Sequence, residues 1–242
     1  MPKTPILFIH GHTLDQRMWQ PQLEAFKDHS LIAPTLRGYG HSSPMENNFS
    51  FAEDMYALLE PFDQIHLVGL SLGGNVALEM AVRYPNKIQT LTLLDSGLKG
   101  FTPDEAQIKA GAEVQSAYDQ HGLEAAKKTW LGLPLFAAAR QNPSLKTQLE
   151  TWVGDYSGWH WAQRVSPATA IEDVSSRLAE ITAKTLIVVG QHDVAYFQNV
   201  AAYVEQQIKN SKRKVIENAG HMVNLEQPTL INQLLTEHFL ES

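Results

Sequence analysis

The sequence has no cysteine. That excludes disulfides, thiolate catalysis and cysteine-ligated zinc, and it fits a reducing compartment. Positive charge is in deficit: 19 Lys and Arg stand against 26 Asp and Glu, a formal net charge of −7. An acidic surface aids solubility and argues against nucleic acid or an anionic membrane as partner. Long apolar runs are also missing. Ile6-Leu7-Phe8-Ile9 stops at His10-Gly11, too short for the core of a signal sequence. No other stretch approaches the roughly 20 apolar residues of a membrane span. The expectation is a soluble cytoplasmic protein, monomer or homodimer, without internal repeats or low-complexity segments. What remains is a 242-residue chain, 43% hydrophobic and 19% charged. This is a globular composition within the size range of a single α/β domain.

Short apolar runs alternate with helical patterns. Residues 5–9, 31–34, 64–70, 88–95, 184–190 and 213–217 read as strands. Most are nearly all apolar, as strands buried on both faces should be. Helical patterns fall near residues 16–27, 51–62, 72–84, 196–208 and 227–240. The alternation predicts an α/β fold, a doubly wound and mostly parallel sheet of about six strands. Between about 97 and 176 the pattern is helical only, with starts at Thr102-Pro103-Asp104-Glu105 and Asn142-Pro143-Ser144 and a stop at Gly122. The expected organisation is core 1–97, helical cap 98–176 and core 177–242. Four of the five tryptophans fall in the cap segment, with Phe136 and Tyr156. They form either the cap's own core or the wall of a ligand pocket beneath it. Phe136, Trp159 and Met222 are the candidate pocket residues.

Gly69-Leu70-Ser71-Leu72-Gly73 fits G-x-S-x-G. The pattern alone is weak, but a buried strand runs into it and a helix runs out, the context a nucleophile elbow requires. His10-Gly11-His12 ends the first strand. A His-Gly turn there assigns the oxyanion hole to the main-chain N–H groups of His12 and Leu72. A rival reading takes His10 and His12 as metal ligands in a barrel, which needs eight strand–helix units where six strands are counted. Asp193 follows the strand Leu186-Ile187-Val188-Val189, and His221 follows the next one. Ser71, Asp193 and His221 thus share the edge where open α/β sheets carry their sites. A serine needs a base to become a nucleophile, and histidine titrates in the right range. Asp95 also ends a strand and is the competing acid; Asp193 is preferred. Arg140 and Arg164 are candidate carboxylate-binding groups or surface residues.

Five segments then carry a resemblance: Phe8-Ile9-His10-Gly11-His12, Leu36-Arg37-Gly38-Tyr39-Gly40-His41-Ser42, Val68-Gly69-Leu70-Ser71-Leu72-Gly73-Gly74, Val189-Gly190-Gln191-His192-Asp193 and Ala219-Gly220-His221. In this order they resemble the α/β-hydrolase superfamily, in its group of small serine esterases, enol-lactonases and C–C bond hydrolases. The resemblance implies a catalytic triad of Ser71, Asp193 and His221, a cap over the site, no metal and no organic cofactor. The family's usual N-terminal strand pair is missing, which is why six strands are expected. The expected activity is hydrolysis of small, mainly uncharged carboxylic esters through an acyl-enzyme. The alternatives are an enol-lactone, thioester or C–C substrate, a triad-driven elimination, or a small-ligand receptor built on the hydrolase fold.

Overall fold

The computed structural model describes residues 3–40, 42 and 49–240. His41, in the Arg-Gly loop, lies outside the described residues. The described residues hold six strands: β1 Ile6–Ile9, β2 Leu31–Ile32, β3 Ile65–Leu70, β4 Ile88–Leu94, β5 Lys184–Gly190 and β6 Ser211–Ile216. They form one sheet in the order β2-β1-β3-β4-β5-β6, and every pairing is parallel. Among the described residues ten α-helices accompany them: α1 Gln20–Ala25, α2 Phe51–Ala57, α3 Leu72–Arg83, α4 Glu105–His121, α5 Leu123–Gly132, α6 Pro143–Gly154, α7 Trp159–Gln163, α8 Ala195–Gln207, α9 Val223–Glu226 and α10 Pro228–Leu240.

The sheet is buried on both faces, and the strand sequences show why. Side chains alternate across a strand. In β1, Leu7 and Ile9 join a core with Met55, Val76 and Val200 from α2, α3 and α8. Ile6 and Phe8 join the opposite core with Trp19, Ile231 and Phe239. All four β1 side chains are fully buried, so the strand has no polar position to alternate with.

Several sequence boundaries shift. The edge strand begins at Ser211 rather than 213, because Thr185 of β5 pairs with Ser211 and the exposed edge tolerates Lys212, Arg213 and Lys214. Apolarity does not mark the end of a half-solvated strand. The first cap helix is capped not by Thr102 but by Asp104, whose carboxylate accepts from the Gln107 N–H at 2.8 Å. A carboxylate at that position also meets the positive end of the helix dipole. Asn142 caps α6 as expected, accepting from Ser144 and Leu145, with Pro143 in the first turn. Gly122 ends α4 at φ 81°. Between β4 and β5 the described chain is helical and irregular, with no strand.

Candidate active site

Strand order reverses at β1: the chain goes to β2 on one side, then to β3 on the other. The crevice beyond the carboxyl ends of β1 and β3 is therefore where an open α/β sheet accepts a ligand. His12 leaves β1 there, and Ser71 leaves β3.

Ser71 has φ 55° and ψ −112°. A side chain at positive φ is strained and persists only when its surroundings fix it. Here its N–H donates to Leu94 O at 3.0 Å, and its carbonyl accepts from Asn75 and Gly97, each at 3.1 Å. Its hydroxyl makes no capping bond to α3. The glycines around it serve close approach. A β-carbon on Gly73 would stand 2.0 Å from Ile9 O, and one on Gly69 would stand 2.3 Å from Gly73 O. The start of α3 is thereby pressed against the end of β1. Gly11, in the turn after β1, is close enough that a β-carbon there would lie 3.5 Å from Ser71 Cβ.

Asp193 and His221 are brought together. His221 Nδ1 donates to Asp193 Oδ2 at 2.9 Å, and both side chains are almost fully buried. Asp193 Oδ1 accepts from the Val194 N–H at 2.7 Å. With its Nδ1 proton committed to the carboxylate, neutral His221 keeps Nε2 as the basic nitrogen. Phe197 packs against the imidazole, ring centroids 4.1 Å apart. Ser71 and His221 line one small void of about 10 Å³ with Gly11, His12, Phe136 and Met222, close to the space of one water.

Two further carboxyls grip the His221 segment, and sequence reasoning assigned neither this role. Glu226 accepts from the Gly220 and Met222 N–H groups, which bracket His221. In the sequence it reads as the opening of the last helix, although α10 begins at Pro228. Asp95 accepts from Gly190 at 2.8 Å and Val223 at 3.3 Å. Burial, together with the charge of Asp193, pushes the Asp95 carboxyl well above the usual carboxylate range. Burial also raises Glu226.

The histidines of the first strand have other duties. His10 Nδ1 donates to Gly11 O at 2.8 Å, and Nε2 accepts from the Leu36 N–H at 2.9 Å. Both ring nitrogens are spent on tying β1 to the next loop, which leaves no lone pair for a metal. Burial lowers its pKa to about 4. His12 Nδ1 bonds the Tyr39 hydroxyl at 2.8 Å, and its ring sits edge-on to Trp130, Tyr156 and His160. Thr13 follows at φ 64°. Its hydroxyl donates to His12 O at 2.6 Å and accepts from Trp130 Nε1 at 2.8 Å.

A larger cavity, about 450 Å³, opens from Ser71, His12 and Leu72 to the underside of α4, α5 and α7. Its aromatic wall is Trp130, Trp161 and Phe197. Of the two tryptophans of α7, Trp161 and not the sequence candidate Trp159 lines this cavity. Residues i and i+2 of a helix point to opposite sides, so Trp161 takes the cavity side and Trp159 stays half-buried against His160. Phe136 and Met222 line the small void by Ser71, not the large cavity. Trp152 belongs to a hydrophobic core with Leu145 and Leu149. Asp104 is the one charged residue among the described lining of the large cavity. Arg140 instead donates to the carbonyls of Leu131 and Leu133, and Arg164 pairs with Asp119 at the surface.

A family model described as alpha/beta hydrolase fold matches residues 4–228. The putative 2-succinyl-6-hydroxy-2,4-cyclohexadiene-1-carboxylate synthase of Bacillus subtilis is 26% identical, over 98% of this chain and 90% of its own. The 3-oxoadipate enol-lactonase 1 of Acinetobacter baylyi is 29% identical, over 96% and 86%. Among solved structures, a thermophilic esterase from Thermogutta terrifontis superposes with a TM-score of 0.82 at 25% identity, over 99% of this chain and 90% of the other.

Proposed function

Since the chain belongs to the α/β-hydrolase fold family, we propose that it is a serine hydrolase that cleaves small, mainly uncharged carboxylic esters through an acyl-enzyme on Ser71. The observation that carries this reading is the buried 2.9 Å bond from His221 to Asp193, made beside a void that Ser71 also lines. His221 Nε2 takes the Ser71 proton as the hydroxyl attacks the ester carbonyl. Asp193 holds the imidazole in the required tautomer and stabilises its cation. The His12 and Leu72 amides receive the oxyanion. His221 then gives the proton to the leaving alcohol, and water attacks the acyl-enzyme by the same relay.

The cavity supports the substrate class. It is lined by Trp130, Trp161, Phe197, Val114 and Leu135, and among its described lining residues none is Lys or Arg. A carboxylated substrate such as an oxoadipate enol-lactone would bring a charge there with no cation to meet it, at a substantial desolvation cost. The test is a panel of p-nitrophenyl esters of graded acyl length, run beside a thioester, a neutral lactone and a carboxylated enol-lactone. Short to medium uncharged acyl groups should turn over at about 1 s⁻¹ or faster. Activity confined to the carboxylated substrate, or rising steadily to long-chain lipids, overturns the reading. Turnover orders of magnitude slower on every member favours a ligand receptor.

A further inference from the structure

Asp95 follows directly on β4 at φ 43° and is fully buried. Its N–H donates to Val188 O at 2.8 Å, which fixes it to β5. Its carboxyl does more than terminate a strand. One oxygen accepts from Gly190, three residues before Asp193, and the other from Val223, two residues after His221. A single side chain therefore joins the acid loop to the histidine loop. It also reaches the pair itself. A carboxyl oxygen of Asp95, a carboxyl oxygen of Asp193 and a ring nitrogen of His221 all lie within 4.8 Å of one another.

Resting on the serine-hydrolase reading above, we propose that Asp95 is the positioning residue of the acid–histidine pair and its reserve acid, able to orient His221 when the Asp193 carboxylate is removed. The two main-chain donors reach separate oxygens, which a carboxyl satisfies and an amide, a donor at its second position, does not. Beyond that pairing, an acid adds a charge that can be summoned. The groups facing it are Asp193, Glu226 and His221. With Asp193 ionised beside it, Asp95 keeps its proton, because two adjacent buried carboxyls do not both ionise easily. Neutralising Asp193 removes that repulsion. Asp95 then releases its proton to solvent and stands as the counter-charge to the imidazolium formed during the reaction.

The experiment compares wild type, Asp95→Asn, Asp193→Asn and the double variant. The readout is the rate at which a serine-directed phosphonate labels Ser71 across pH, with unfolding midpoints measured alongside. Asp95→Asn alone should slow labelling about tenfold or less. An acid-less histidine is expected to lose up to about 10⁴-fold, and the double variant should approach that loss. Asp193→Asn should lose clearly less than the double variant, with a rate that climbs as pH rises and Asp95 ionises. The double variant should lack this limb. Equal rates and the same pH profile for Asp193→Asn and the double variant overturn the inference. The limb in Asp193→Asn alone carries the test where the double variant does not fold. A purely structural Asp95 would shift unfolding midpoints without creating the limb. Failure to label Ser71 in the wild type overturns the serine-hydrolase reading, and this inference with it. Labelled wild type without the limb overturns the inference alone.

Discussion

Gly73→Ala tests whether the spacing between α3 and β1 sets the activity. The new β-carbon would stand 2.0 Å from Ile9 O and 2.7 Å from His10 O, where ordinary contact begins at 3.4 Å. Both obstructing atoms are backbone, so no side chain can swing aside. Either α3 retreats or the end of β1 does, by on the order of 1 Å. Overpacking of this kind costs about 1–3 kcal/mol, which should lower the unfolding midpoint. The kinetic consequence is larger. Leu72 leads α3 and His12 follows β1, so the retreat separates the two proposed oxyanion amides. A misplacement of about 1 Å costs on the order of 10²-fold in rate, and loss of one oxyanion donor about 10²- to 10³-fold. The assay is kcat on p-nitrophenyl acetate, with urea unfolding of the same preparations. Gly111→Ala is the stability control: it lies within α4 with nothing within 4 Å, and should gain about 0.5–1 kcal/mol. A Gly73→Ala enzyme with wild-type kcat would refute the reasoning, whatever its stability.

Ser71→Ala should abolish ester hydrolysis and phosphonate labelling while leaving the circular dichroism spectrum unchanged; labelling that persists elsewhere would move the nucleophile. Acid should destabilise the fold. Burial lowers His10, His66 and His160 to about 4 and lowers His12 well below 6.5. Each of these binds a proton near pH 6.5 when unfolded but not in the fold, so stability is full above that value and falls as pH drops towards 4. The slope approaches about 1.4 kcal/mol per histidine per pH unit. Melting temperatures at pH 7.5, 6 and 5 should therefore drop steeply below pH 6, and a flat series would show that these rings are protonated in the native state.

Much of the sheet and the nucleophile turn is legible in the sequence, for a physical reason. Parallel strands buried on both faces are almost uniformly apolar, and Gly69 and Gly73 flank Ser71 where close packing leaves no room for a β-carbon. The rest depends on adjacency that no local pattern encodes. The 2-residue strand β2 and the Lys-rich β6 carry little of the apolar signal. Trp159 and Trp161 are indistinguishable by composition, and only the phase of a five-residue helix sorts them. Asp95 reads as a strand end until β4 is known to neighbour β5. Glu226 reads as a helix opener, because nothing in the sequence marks the one-turn helix α9 from whose end its carboxyl reaches back to the Gly220 and Met222 N–H groups. The acid-and-histidine order could be read; the additional carboxyls gripping the histidine could not.

Thr13 carries a consequence of its own. A β-branched residue at φ 64° holds a conformation that costs about 1–3 kcal/mol unless its contacts offset it. One of those contacts, the 2.8 Å bond from Trp130, comes from the helix that roofs the cavity. The seating of that roof and the shape of the turn presenting the His12 amide thus share one free energy. Linkage of this kind is reciprocal. On the serine-hydrolase reading proposed above, a substrate that lifts the indole should loosen the turn, and an oxyanion that tightens the turn should draw the indole down. Readiness of the His12 amide and seating of the cavity roof would then be, through one threonine hydroxyl, a single equilibrium.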